Sequence, residues 1–250
     1  MSRNTLTTIK ADARIQRCTI IDPFKNYKLE DEKHIKTFRI EGNKTLKQLK
    51  KVFRRSKCNN EYIEQNYMKT LSLIKSIRCS SKDITAFSLA LTEFQERENF
   101  KEKAGIFLSA LINNCSETEF TAITEHLSKL INYLGYMNTK NITVQGDVGD
   151  IVGCYMEKGL VTIHGNAEEF VGDGMKGGSI TIKGDAGDNV GFGMKGGSIT
   201  IKGNMGDDAG PYMGDIAALE SKYQSLGLAI EGGNIFHKSR QIVKNGKRLI

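Results

Sequence analysis

No two of the five cysteines (Cys18, Cys58, Cys79, Cys115, Cys154) form a CxxC pair, and no HExxH stretch surrounds any of the four histidines. These absences exclude a zinc site built from local spacing, and scattered single cysteines read as free thiols in a reducing compartment. No apolar run reaches the ~18 residues that a membrane helix needs. The opening MSRNTLTTIKADARIQ has no hydrophobic signal core. A soluble cytoplasmic protein with no membrane association is the expectation. Glycine is scarce in one part of the chain only. Of 26 glycines, residues 1–140 hold three (Gly42, Gly105, Gly135) and residues 141–250 hold 23. The net charge of +7 divides the same way, +9 before residue 141 and −2 after it. Two structural units are expected: a mainly helical one over 1–118, with a short strand region near its start, and a second over 119–250.

In the first part, apolar residues recur at helical spacing in TLKQLKKVFRRS (45–56), YIEQNYMKTLSLIKSI (62–77), DITAFSLALTEFQERE (83–98) and FKEKAGIFLSALINN (100–114). Asp83 is the expected N-cap of the third helix. Short strands are expected within CTIIDPF (18–24) and TFRIEG (37–42).

The second part repeats itself every 19 residues. Units start at Gly146, Gly165, Gly184 and Gly203, and the phrase GMKGGSITIKG appears twice. Apolar columns recur once per unit: Val148, Ala167, Ala186 and Met205; Val152, Val171 and Val190; Met156, Met175, Met194 and Met213. In LVTI, SITI and SITI the apolar residues alternate with Thr162, Thr181 and Thr200, so one face points in and one out. A strand recurring at this interval buries its face only by stacking on its copies, which predicts a parallel β-solenoid. The overall class is α+β. Glycine columns mark the turns: Gly146, Gly165, Gly184, Gly203; Gly149, Gly187, Gly206; Gly153, Gly172, Gly191, Gly210; Gly178, Gly197. Asp147, Asn166, Asp185 and Asn204 form a column in which stacked charges alternate with neutral amides. Asp150, Glu169, Asp188 and Asp207 form an acidic ladder that must be solvated or paired. Counting 19 residues back from ITV (142–144) reaches ITE (123–125), so residues 119–140 are expected to form a glycine-poor first coil. The rival is a helix opened by Ser116-Glu117-Thr118-Glu119. The tail over 228–250 is expected to supply closing strands with a tight turn at Asn245-Gly246.

The iterated GDxGDxVGxGMKGGxIxIKG over about 141–214, or as far as 250, resembles the GXGXG repeat. That repeat occurs in the C-terminal domain of the large polypeptide of glutamate synthase and in one component of formylmethanofuran dehydrogenase. The resemblance implies a right-handed β-helix that packs against catalytic domains or subunits without performing their chemistry. Residues 1–118 carry no such resemblance, and the amidotransferase and flavin-binding domains are not expected here.

No catalytic, cofactor-binding or metal-binding residue is expected, and no cofactor. GMKGGS is not a phosphate loop, because Lys176 and Lys195 precede the glycine pair and a strand follows. These lysines are expected to point outward near the acidic ladder. The residues that break the repeat are Cys154, Tyr155, His164, Pro211 and Tyr212. The stretch 36–57 holds nine Lys/Arg and one acid, Glu41. Lys47, Lys50, Arg54 and Arg55 would serve a nucleic-acid contact there, a less favoured reading. The leading expectation is a non-catalytic structural or interaction module with a protein partner or a second copy of itself, as an accessory subunit of a redox or one-carbon enzyme complex. The alternatives are a diverged glutamate synthase-like oxidoreductase component and a carbohydrate-active β-helix enzyme.

Overall fold

Four α-helices form on the expected segments. Helix α1 spans Asn43–Arg55, α2 Ile63–Ile74, α3 Ser81–Leu89 and α4 Phe100–Asn114, with a 3-10 turn at Ala90–Phe94 after α3. The computed structural model describes residues 43–59, 62–206 and 230–249. The strands expected within 18–24 and 37–42 lie outside the described residues, as do Asp207, Gly210, Pro211, Tyr212, Met213 and the first residues of the closing segment. The N-cap of α3 is Ser80 rather than Asp83. Asp83 is the far member of a capping box, in which its backbone N–H donates to Ser80 Oγ and its carboxylate accepts from the Ser80 N–H. Phe53 centres the helical packing, with ring centroids 5.6, 4.9 and 5.1 Å from Phe87, Phe94 and Phe107. Edge and tilted contacts of this kind are the favoured aromatic geometry.

An eight-stranded sheet in sequential order follows. Its strands are β1 Glu119–Ile123, β2 Asn141–Gln145, β3 Leu160–Ile163, β4 Ser179–Ile182, β5 Ser198–Ile201, β6 Asn234–His237, β7 Arg240–Lys244 and β8 Lys247–Arg248. Strands β1 to β6 pair in parallel, and β2 to β5 hold the 19-residue register: Ile142 over Val161, then Ile180, then Ile199. A second line of parallel bridges runs Val148, Ala167, Ala186, Met205. The columns read from the sequence are the core. Val152, Val171, Val190, Met156, Met175, Met194 and the isoleucines of β2 to β6 are all fully buried. The solenoid and the four helices together make the α+β fold.

The first coil departs from the expected register. Phe120, not Ile123, lies over Ile142, so this coil is 22 residues long, and 119–140 contains no helix. The extra length lays Ile131, Leu134 and Tyr136 beneath α4, where all three are buried. Helix α4 meets this coil along one face at intervals of four: Lys101, Gly105, Ser109, Asn113. The Lys101 carbonyl accepts from Asn132 N–H at 3.1 Å. Ser109 Oγ donates to the Tyr133 carbonyl at 3.0 Å and accepts from Gly135 N–H at 2.9 Å. Asn113 Nδ2 donates to the Tyr136 and Met137 carbonyls and its Oδ1 accepts from Thr139 N–H. At the other end, β6 to β8 close the stack as an antiparallel hairpin. The β6–β7 turn uses the left-handed pair Lys238 and Ser239, and the β7–β8 turn uses Asn245 and Gly246, as expected.

Gly105 supplies a test of this docking. A Cβ there would overlap the Asn132 carbonyl. Helix propensity alone makes Gly→Ala favourable by ~1 kcal/mol, whereas overpacking costs ~1–3 kcal/mol. Gly105→Ala is expected to lower the Tm, and a raised Tm would show that α4 does not bear on the coil backbone.

Candidate functional site

The polar columns have a structural use. Asp147 Oδ1 accepts from Asn166 N–H at 2.7 Å, Asn166 Oδ1 from Asp185 N–H at 2.8 Å, and Asp185 Oδ1 from Asn204 N–H at 2.6 Å. Each side chain caps the backbone of its own counterpart one coil later. This explains the preceding column, Gly165, Gly184 and Gly203. None of these has the positive φ expected of a turn glycine, but a Cβ at each would collide with the capping oxygen. Gly149 and Gly206 are likewise glycine for clearance, against Asn132 Oδ1 and Asp188 Oδ1, and Gly187 faces the Glu168 backbone. Conformational demand falls on other columns and on Gly146, the first member of the Gly165 column. Gly153, Gly172 and Gly191 have φ near +70°, and Gly178 and Gly197 reach +85° and +89°. Gly146 is positive as well.

The acidic ladder starts in the same way. Asp150 Oδ1 accepts from Glu169 N–H at 3.1 Å, and Asp150 N–H donates to Asn132 Oδ1. Asp188 follows in the column, and Asp207 lies outside the described residues. Lys176 and Lys195 do not reach this ladder. They pair instead with Glu157 at 3.8 Å and Glu231 at 3.7 Å, on a different edge of the coil. His164 is exposed in the column of Lys183 and Lys202. In the basic helix, Lys50 and Arg54 both bind Glu93, and the Arg54 guanidinium lies 5.3 Å from the Phe94 ring centroid. They anchor α1 to the 3-10 turn. Lys47 and Arg55 remain exposed.

One cleft stands apart from these uses. It has a volume of about 460 Å³ and lies where the N-terminal turn of α2 faces one corner of the solenoid. Tyr62 and Glu64 come from the helix side, and Tyr133, Tyr136, Tyr155 and Asp173 from successive coils. Cys154 is buried at its floor, and its Sγ donates to Asp173 Oδ2 at 3.7 Å. Burial, reinforced by the Asp173 carboxylate, pushes the Cys154 thiol far above its ordinary value. Burial also raises the Asp173 carboxyl. Burial, then Cys154 and the surrounding carboxylates, raises the Tyr133 phenol to about 12. Cys154 is thus a protonated thiol beside an acid, the opposite of an activated nucleophile. Among the described residues, no three His, Cys, Asp or Glu side chains gather as a metal site.

Cys154 and Tyr155 are visible in the sequence as breaks in the repeat. Nothing in the repeat singles out Asp173 as their partner, although it sits 19 residues on and therefore directly above Cys154. The contribution of Tyr62 and Glu64 has no sequence signal, because only the packing of α2 brings them to the coils.

The geometry makes two measurements informative. Asn166→Asp would set carboxylates at 147, 166 and 185 on adjacent coils, ~4.8 Å apart. A lowered Tm that partly recovers in high salt is expected, whereas Asp185→Asn keeps a capping oxygen and should cost little. Burial also raises Cys58 to about 11 and Cys79 to about 12. A thiol pKa raised by folding means that the folded chain holds its proton where the unfolded chain has lost it. Stability therefore falls as pH rises above the unfolded thiol value of ~8.5. Tm should decline above that pH, less steeply in Cys154→Ala, and Cys154 should resist alkylation until the chain unfolds.

Residues 90–183 match the family model described as GXGXG motif. The match takes in α4 and the first coil, which carry no visible repeat, and ends after the strand β4. Part of the helical cap is thus included in what the family model describes. No curated protein and no solved structure matches the chain. The stacked glycine columns and the matched segment coincide over 146–183, so this part of the chain is similar to the GXGXG motif.

Proposed function

We propose that this protein is a non-catalytic interaction module, an accessory cytoplasmic subunit that packs its solenoid against a catalytic partner in a redox or one-carbon enzyme complex. The observation that carries the reading is how the repeat spends its polar groups. The side chains of Asp147, Asn166, Asp185 and Asp150 are engaged in capping backbone N–H groups of neighbouring coils. The thiol with the most unusual setting, Cys154, is held protonated. The GXGXG match favours a glutamate synthase-like module over a carbohydrate-active β-helix. Exposed apolar side chains on the coils, Leu160 and Phe192, suit a surface that meets protein. Nucleic acid is less favoured, because Lys50 and Arg54 are already paired with Glu93.

The test is purification of the full chain from its native cells under gentle conditions. Co-elution at fixed stoichiometry with an amidotransferase, flavin or molybdopterin polypeptide is expected, and loss of that partner in a Leu160→Glu, Phe192→Glu variant of unchanged Tm. Elution alone, with no partner at any salt concentration, would end the subunit reading.

A further inference from the structure

The cleft between α2 and the coils has a chemistry that the scaffold role does not use. Its walls include Tyr62, Tyr133, Tyr136 and Tyr155, and its charged groups are Glu64 and Asp173. Among the described lining residues there is no Lys, Arg or His. Both charged groups of the cleft are therefore acidic. We propose that this cleft binds a small organic cation, an ammonium ion bearing methyl or other alkyl groups.

The ring arrangement fits that ligand. Tyr136 stands at 71° to Tyr133 and 74° to Tyr155, with centroids 6.3 and 6.0 Å away. Tyr136 is buried and also packs against Tyr67 at 5.2 Å, so it backs the cluster, and the rings open to a ligand are Tyr62, Tyr155 and the half-buried Tyr133. Aromatic faces attract a cation through the ring quadrupole, and alkylated ammonium ions, which have weak hydration and no strong hydrogen-bond demand, gain most from such walls. The carboxylates supply the opposite charge. The phenols of Tyr133, Tyr136 and Tyr155 are all raised above the ordinary value. The rings therefore stay neutral π surfaces at physiological pH, and the negative field comes from Glu64 and Asp173. The volume lies within the usual range for a small-molecule site.

The repeat points to the same place. Tyr155 occupies the column of Gly174 and Gly193, at a left-handed φ of 51°. Glycine would sit there without strain, and the next two coils use it. Tyr155 is 42% exposed and Tyr62 51% exposed, and the Tyr155 ring lies over Gly174 and against Tyr136. Cys154, by contrast, is buried beneath Asp173 and fixes that carboxylate at the cleft floor.

The experiment is a calorimetric titration of the full chain with choline, alongside 3,3-dimethylbutan-1-ol, its uncharged isostere. Choline is expected to bind saturably with a Kd in the millimolar range or tighter, and the isostere at least about tenfold more weakly. Tyr155→Gly restores the residue that this column otherwise carries. Asp173→Asn keeps an acceptor for the Cys154 thiol, and Glu64→Gln is conservative in shape. Each should weaken choline by roughly threefold or more, with a Tm close to the parent's. Absence of choline binding up to about 100 mM, far beyond a millimolar Kd, would overturn the proposal. So would an isostere of equal affinity, or folded variants that bind choline as the parent does.

Discussion

Every coil of the solenoid lies on a copy of itself at strand spacing, about 4.8 Å away, and the rest of the molecule answers to that constraint. A residue in the stack must tolerate its own kind as a neighbour. Apolar residues do so readily, which is why Met156, Met175 and Met194 form an unbroken fully buried column. Carboxylates do not. In the capping column, Asp147 and Asp185 are separated by Asn166, so like charges stand about 10 Å apart, close to the screening length in physiological salt. The amide oxygen does the same capping work as the carboxylate without adding charge. Glycine in the neighbouring column is the steric complement of this arrangement, because the cap needs the space that a Cβ would fill.

Stacking leaves two ends, and unpaired strand edges invite further association. The chain treats them differently. At the start, α4 lies on a coil lengthened to 22 residues and satisfies its backbone through Ser109 and Asn113. At the finish, β7 and β8 fold back antiparallel, so the last parallel edge is covered by the chain's own hairpin.

What is legible in the sequence follows this division. The 19-residue columns, the strands and the four helices can be read, because each rests on a period that burial enforces. The first coil is legible only as a coil. Its register is hidden, since Phe120 and Ile123 are both apolar and the choice rests on the docking of the helices, α3 on β1 and α4 on the rest of the coil. Reading the glycine columns as turns holds for Gly172 and Gly178 and fails for Gly165 and Gly184, because a clearance glycine and a turn glycine look identical until the capping oxygen is placed. The pairing of Lys176 with Glu157 rather than with the acidic ladder is equally hidden, since the ladder offers Glu169 in the same coil and Glu157 lies one coil below.

The same constraint says where something other than architecture can sit. Positive φ alone does not mark it. Ile151, Phe170 and Asn189 share one left-handed column through three coils, so that backbone shape is a property of the coil and each residue simply bears its cost. A break in residue type within a column is different, because the fold already has a better solution in the adjacent coils. Tyr155 replaces a glycine that the backbone would prefer, and Asp173 stands where its neighbours in the column are Cys154 and Phe192. Both open onto the cleft that Tyr62 and Glu64 complete from α2. An aromatic ring at an αL position and a carboxylate pushed up by burial both cost stability, and their convergence on one acid-lined cavity is what a ligand of positive charge would offset.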